Sequence, residues 1–410
     1  MTVTDLLFVF GFLPVYVIIV FLCREGWEKN FAAAVMSLVF VIWARPIYYA
    51  LVFLDVFVVY AAGRLKKRKN YAAVKAAAMA ATVLSALPAA VGLFSQGTLT
   101  GSASAMGYLL FIARSFIYLR EEDEEANVLN LMVYLVSFEF MSMSPLYSYS
   151  QMKERIASRR TGLAYLSSGF ERYACGLAAV TVSGFSLERI WNAALHEGAL
   201  PWMNALIGLA ACAVGIYVFT IGYLSMSEGL CLMSGYKITM HSGAFLPKSL
   251  MLEHVGAISP TYSNFAGAYT SKARPLTLVI LSAVFCLLAG MAIGLGAGLG
   301  ALVCVIAMVV CIQALFETGK SFMSAVFTGL VLLVGFIAAA CGSVSGISAW
   351  IGGLNASKYD FGMSYALFAE LKRSVVWAVL GLIYVSPLRV IIRGRLREAM
   401  SGSETAYLSL

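Results

Sequence analysis

The chain has 410 residues, of which 61% are hydrophobic and only 12% charged, with a formal charge of +8. That composition leaves too little polar surface to cover a water-soluble core, which excludes an ordinary soluble enzyme and places bulk burial in lipid. The basic residues stand at helix ends rather than along one face, so membrane topology accounts for the charge and nucleic acid is excluded as a partner.

Crossing ~30 Å of hydrocarbon takes roughly 20 apolar residues as a helix, and long unbroken runs indicate helices rather than a barrel. The first run, Leu6 to Cys23, lacks a cationic leader and a small-residue cleavage site followed by a soluble domain. It is expected to be a retained membrane helix. Apolar segments are predicted at 4–23, 30–44, 46–63, 71–94, 103–119, 128–147, 163–183, 202–224, 275–296, 299–316, 322–342 and 372–392. They allow about eleven or twelve membrane passages, some of them re-entrant. An external N-terminus puts the loops holding Arg24 and Lys29, Arg64 to Lys69, Lys153 to Arg160, Lys320, and Arg393 to Arg397 on the cytoplasmic side, together with the C-terminus. Segment 128–147 must then enter and leave on one face, and its ending, Met141 to Pro145, suits a broken, re-entrant element.

The stretch 225–274 carries Lys237, Lys248, Lys272 and Arg274, and its apolar pieces are too short to span. It is expected inside a bundle or at its cytoplasmic mouth. The acidic run Glu121 to Glu125 reads as a cytoplasmic turn, and no linker or soluble domain divides the chain. The expected fold is all-α: one polytopic membrane domain over 1–410.

All eight cysteines lie in or beside apolar segments without paired ligand spacing, so they read as small core residues and no metal is expected. Charges inside apolar segments need a partner or a function, and Asp55, Arg114, Glu139, Arg172 and Glu228 qualify. Asp55 and Glu139 are each read as neutralising Arg114 or Arg172 in an internal ion pair, with substrate contact as the other reading. Glu228 either faces a polar funnel or stands at a helix end. The run Gly294, Gly296, Gly298, Gly300 has no preceding strand and no following Lys-Ser or Lys-Thr, so it reads as a turn between helices rather than a phosphate loop. Ser259, Thr261 and Ser263 lack an adjacent base that would make them nucleophiles.

Several blocks follow one another in a fixed order: Phe8 to Pro14, Trp43 to Pro46, Tyr60 to Gly63, Gly107 to Leu119, and Leu129 to Met152 with Ser144-Pro145-Leu146-Tyr147-Ser148-Tyr149-Ser150 inside it. The tightest runs from Gly222-Tyr223 through Met226, Glu228 and Gly229-Leu230 to Gly235-Tyr236. In order and spacing they resemble the MBOAT family of membrane-bound O-acyltransferases, particularly the bacterial branch that modifies alginate, other exopolysaccharides and teichoic acids. Pro145 and Tyr149 match the family's Gly-Pro-Ile-x-Arg-Tyr-Ser run. The tight block is similar, without a gap, to its G-Y-S-D-M-x-x-G-L-x-x-x-x-G-F segment. The resemblance implies a ring of tilted helices around a thinned centre, where an acyl donor from one face meets an acceptor from the other. It also implies Pro145, Tyr149, Gly222, Tyr223, Glu228 and Gly229 as funnel lining. An acyl-CoA or acyl-carrier thioester is the donor such an enzyme consumes; no permanently bound cofactor is expected.

The family's chemistry needs a histidine base in a Trp-His-x-Ser context and a second histidine deeper in the tunnel. Matching Ile258-Ser259 to the family's Ile-Ser puts Ala257 at the first position, and Ile293 falls at the second. The family's two acidic positions match Phe219 and Ser225. His254 lies about three positions before the matched site, one helical turn away on a similar face, and is either an interfacial histidine or a relocated base. His196 and His241 fall in predicted loops. The expected protein is therefore an MBOAT-like pseudoenzyme of the bacterial inner membrane. It would act as a partner or a lipid- or polymer-handling subunit in envelope polysaccharide synthesis or acylation. Its expected partners are membrane lipid, a polysaccharide or glycolipid, and envelope-biosynthesis proteins. Two other readings stay open. One is an active O-acyltransferase using His254, oriented by Glu253, on a glycan or glycolipid hydroxyl. The other is a transporter or flippase, whose inverted repeats the sequence does not display.

Overall fold

The computed structural model describes residues 3–24, 26–44, 46–94, 99–121, 127–140, 147–159, 161–195, 201–236, 344–356 and 362–386, with separate positions between 326 and 337 and between 388 and 395. Every element among the described residues is helical. A π-helical turn, Phe8–Phe12, leads into α1 (Leu13–Leu22), followed by α2 (Gly26–Ala44), α3 (Pro46–Arg64), α4 (Tyr71–Phe94), α5 (Leu99–Arg120) and α6 (Val128–Val136). Then come α7 (Tyr149–Ala157), α8 (Leu163–Ala178), α9 (Phe185–Leu195), α10 (Trp202–Met233), α11 (Val344–Ala356) and α12 (Tyr365–Val385).

Helix α4 has the bounds its apolar run predicts, and α3 ends one residue beyond its own, at Arg64. Proline is tolerated in the first turn, and the polar stretch 64–70 cannot continue an apolar face. Segment 163–183 instead belongs to a longer helical path, in which α8 passes through a π-helical turn, Ala179–Gly184, into α9. The predicted end of segment 202–224 is overrun by nine residues. Ser225 and Ser227 do not interrupt α10, because their hydroxyls engage other elements. Ser225 accepts from Tyr384 at 2.8 Å and Ser227 donates to the Glu139 carbonyl at 3.1 Å.

Segment 128–147 breaks early. Asn127 caps α6 by accepting from the Leu129 amide, the helix lasts nine residues, and Ser137 turns out of it at ψ 134°. One 3₁₀ turn, Phe138–Phe140, follows. Residues 141–146 of the predicted re-entrant element lie outside the described residues.

Two helices were not anticipated, α7 and α11. Helix α7 buries Tyr149, Met152 and Ile156, spaced to share one face. A capping box holds its start: Ser148 Oγ accepts from the Gln151 amide and Gln151 Oε1 from the Ser148 amide, both at 3.3 Å. Glu121, from the predicted acidic turn, takes the amides of Tyr149 at 2.9 Å and Ser150 at 3.2 Å, where a carboxylate also meets the positive end of the helix. Ser148→Ala is expected to cost about 1 kcal/mol, seen as a lower thermal midpoint of the purified protein.

Two apolar cores form. The larger draws on α1 to α8 and the second half of α10; the smaller on α9, the middle of α10 and α12. Phe138 anchors the larger, edge-on to Phe12 at 5.2 Å and Tyr16 at 4.7 Å. Helices α8 and α10 approach closely enough to need glycine on both sides. A Cβ placed on Gly229 would lie 2.5 Å from the Gly169 carbonyl oxygen, and one on Gly176 2.5 Å from that of Gly222. Each helix thus presents two glycines seven residues apart, paired in antiparallel register.

Among the described residues α10 is long and apolar enough to cross a membrane; shorter apolar helical stretches are Phe8–Leu22, Tyr71–Ala86 and Val128–Phe140. Large apolar side chains face outward on several helices, including Phe10 and Leu22, each 75% exposed, Trp27, Phe57, Val376 and Trp377. Charged groups lie inside: Arg114 is 1% exposed and Glu139 0%, with Asp55, Arg159 and Glu228 also buried.

Candidate functional site

The break after α6 delivers a charge into the apolar interior. The Phe138 amide donates to Ser37 Oγ at 3.0 Å, which pins the 3₁₀ turn to α2, and Glu139 then points into the bundle. Its Oε1 accepts from Tyr16 at 2.7 Å and from Ser234 at 2.6 Å; Oε2 accepts from Ser137. Three neutral donors thus hold the carboxylate in place of water.

Ser234 and Tyr236 arrive there through the end of α10. Gly235, at φ 88°, lets the Tyr236 amide donate to the Cys231 carbonyl at 2.8 Å and its own amide to that of Leu232 at 3.0 Å. This glycine-dependent stop satisfies two terminal carbonyls and turns the Tyr236 ring inward.

Arg159, just past α7, lies over that ring with its guanidinium carbon 4.0 Å from the centroid. Its Nη1 donates to Asn30 Oδ1 at 2.8 Å, and Asn30 in turn donates to Asn130 Oδ1 at 3.3 Å. Its Nη2 is 4.0 Å from Glu139 Oε1, an ion pair without a hydrogen bond. Five parts of the fold converge here: α1, α2, the turn after α6, the segment after α7 and the end of α10.

The internal pairing differs from the expected one. Arg172 pairs with Glu228 across the α8–α10 contact, a partner set by glycine-mediated approach. Arg114 donates to the carbonyls of Leu110 at 3.2 Å, Tyr134 at 3.3 Å and Phe140 at 3.0 Å. Asp55 accepts from Ser85 on α4, and Glu139 faces Arg159. Arg159, from the basic stretch Lys153 to Arg160, has a fully buried side chain.

Of the residues assigned to the funnel, Gly222, Glu228 and Gly229 lie on the α10 face against α8, and Tyr223 is buried. Tyr149 packs edge-on to Tyr118 at 5.2 Å and Tyr134 at 5.4 Å. Pro145, Ala257, Ile293 and all three histidines, His196, His241 and His254, lie outside the described residues. Sequence reasoning passed over Tyr16, Asn30 and Ser234, and met Arg159 and Tyr236 only as members of a basic stretch and of the tight block, not as site residues. Their signal was faint: Tyr16, Ser234 and Tyr236 are single polar groups in largely apolar surroundings, while Asn30 and Arg159 stand among other polar residues at helix ends.

Chemically the network holds charge rather than moving it. A general base must reach the proton it abstracts, and both Glu139 oxygens are already occupied by the protein's own hydroxyls. No family model matches this chain, and neither does any curated protein.

Proposed function

We propose that the chain is a multi-pass membrane protein of MBOAT-like architecture. It works without acyl-transfer chemistry, as a partner or a lipid- or polymer-handling subunit in envelope polysaccharide synthesis or acylation. Support for the membrane setting comes from the inverted distribution of polarity: aromatic and aliphatic side chains outward, carboxylates and guanidinia inward.

The non-catalytic reading is supported chiefly by what the tight block does. Gly222 and Gly229 set the α8–α10 approach, Glu228 pairs with Arg172, and Gly235 and Tyr236 close the helix over Arg159. These residues hold helices together. The resemblance also puts Ala257 and Ile293 where the family has histidine. Losing a general base removes roughly 10²–10⁴ in rate and leaves binding surfaces intact.

The test is acyl transfer by the purified full chain from an acyl-CoA or acyl-carrier thioester to a glycan acceptor. No transfer above the protein-free rate is expected. Transfer by the wild type that disappears in His254→Ala would establish an active O-acyltransferase instead.

A further inference from the structure

Arg159 carries more donors than its surroundings answer. Nη1 is spent on Asn30. The Tyr16 hydroxyl, which donates to Glu139, is also close enough to interact with the guanidinium, but neither Nε nor Nη2 has an acceptor at hydrogen-bonding geometry among the described residues, and the Tyr236 hydroxyl has no partner there either. All three are buried. Unanswered donors in a dry interior are costly and rare, most of all on a cation.

The open groups are not scattered. Nε and Nη2 form the side edge of the guanidinium, which can make two parallel hydrogen bonds to an oxyanion. The Tyr236 hydroxyl belongs to the ring whose face that guanidinium covers, so the phenol and the guanidinium are immediate neighbours. Glu139 does not answer these donors, since its oxygens are taken by Tyr16, Ser234 and Ser137. It offsets the cation from 4.0 Å and leaves the donors open.

Charge and position narrow the occupant. Lys29, also buried, donates to Thr161 Oγ1 at 3.0 Å beside the same junction of α2 with the α7–α8 connection. With Lys29 and Arg159 positive and Glu139 negative, one negative charge balances the set. Lys29, in the first turn of α2, and Arg159, just past α7, lie in basic stretches expected at the cytoplasmic headgroup level of the bilayer. The geometry points to a phosphodiester site: the phosphate of a phospholipid headgroup accepts from Arg159 Nε and Nη2 and from the Tyr236 hydroxyl, inside the bundle. This deepens the lipid-handling reading above and rests on its membrane setting.

The test uses the full chain in mild detergent, titrated with soluble short-chain phosphatidylglycerol and, separately, with inorganic phosphate, following the thermal midpoint. Saturable stabilisation by the lipid and none by phosphate is expected. Arg159→Lys keeps the charge but loses the fork, and Tyr236→Phe keeps the ring but loses the hydroxyl. Each should weaken lipid affinity about tenfold or more. Tyr236→Phe should also be at least as stable as wild type without lipid, because it removes an orphan hydroxyl. Equal lipid affinity in all three proteins overturns the proposal, as does no saturable lipid binding. An equal response to inorganic phosphate overturns the lipid source. Acyl transfer by a protein that still binds lipid through Arg159 would remove the non-catalytic reading and leave this site standing.

Discussion

Gly229→Ala is expected to destabilise the protein by about 3 kcal/mol, while Gly352→Ala leaves it unchanged or stabilises it by up to about 1 kcal/mol. The chemistry of the two changes is identical; only the surroundings differ. At Gly229 the new methyl would lie 2.5 Å from the Gly169 carbonyl oxygen and 2.6 Å from the Tyr173 nitrogen. Those are backbone atoms of α8 and cannot swing away, so the helices must separate. Separation loosens the second glycine contact, Gly176 with Gly222, and the Arg172–Glu228 pair on the same interface. The helix-propensity gain of about 1 kcal/mol on replacing glycine is smaller than that loss. At Gly352 nothing lies within 4 Å, so the propensity gain acts alone. Thermal midpoints of the two purified variants, followed by size-exclusion profiles after heating, should move apart. Equal midpoints would mean that α8 and α10 do not pack as described.

Glu139→Leu is expected to cost about 3–5 kcal/mol, because removing one member of a buried ion pair leaves the other uncompensated. Arg159 would lose its counter-charge, and Tyr16, Ser137 and Ser234 would lose the acceptor they share. Pairing it with Arg159→Met should recover most of the loss, since an apolar pair of similar volume often replaces a buried ion pair without penalty. Measuring both single variants and the double gives the coupling directly. If the double variant is as unstable as the sum of the singles, the two charges do not act on each other.

The helices were more legible in the sequence than their partners. Pro46 and the polar stretch 64–70 bracket α3 and α4, so a hydropathy window finds them. The same window stops at Ser225, because it records a drop in hydropathy and not where the hydroxyls go. In the fold they go to Tyr384 and Glu139, 159 and 88 residues away. Helix α7 is nine residues long, and its period becomes informative only once the inward face is known. Partner choice among the embedded charges was the least readable feature. Arg172 and Glu228 are 56 residues apart and meet because Gly169, Gly176, Gly222 and Gly229 bring two backbones together. The seven-residue spacing of those glycines is plain in the sequence, but nothing local says which faces which. The packing role of 222–236 came only from coordinates.

Helix α10 has a further consequence. It has 32 residues, a rod about 48 Å long at 1.5 Å per residue, against roughly 30 Å of hydrocarbon. The part up to Leu224 accounts for about 34 Å, which a modest lean accommodates. The remaining turns, Ser225 to Met233, are almost wholly enclosed by neighbouring chain. In the proposed bilayer setting that end rises past the oily layer under a roof of protein. The height of Ser234 and Tyr236 is then fixed by a stiff strut rather than by a loop, and anything gripped beside them is held at a set depth.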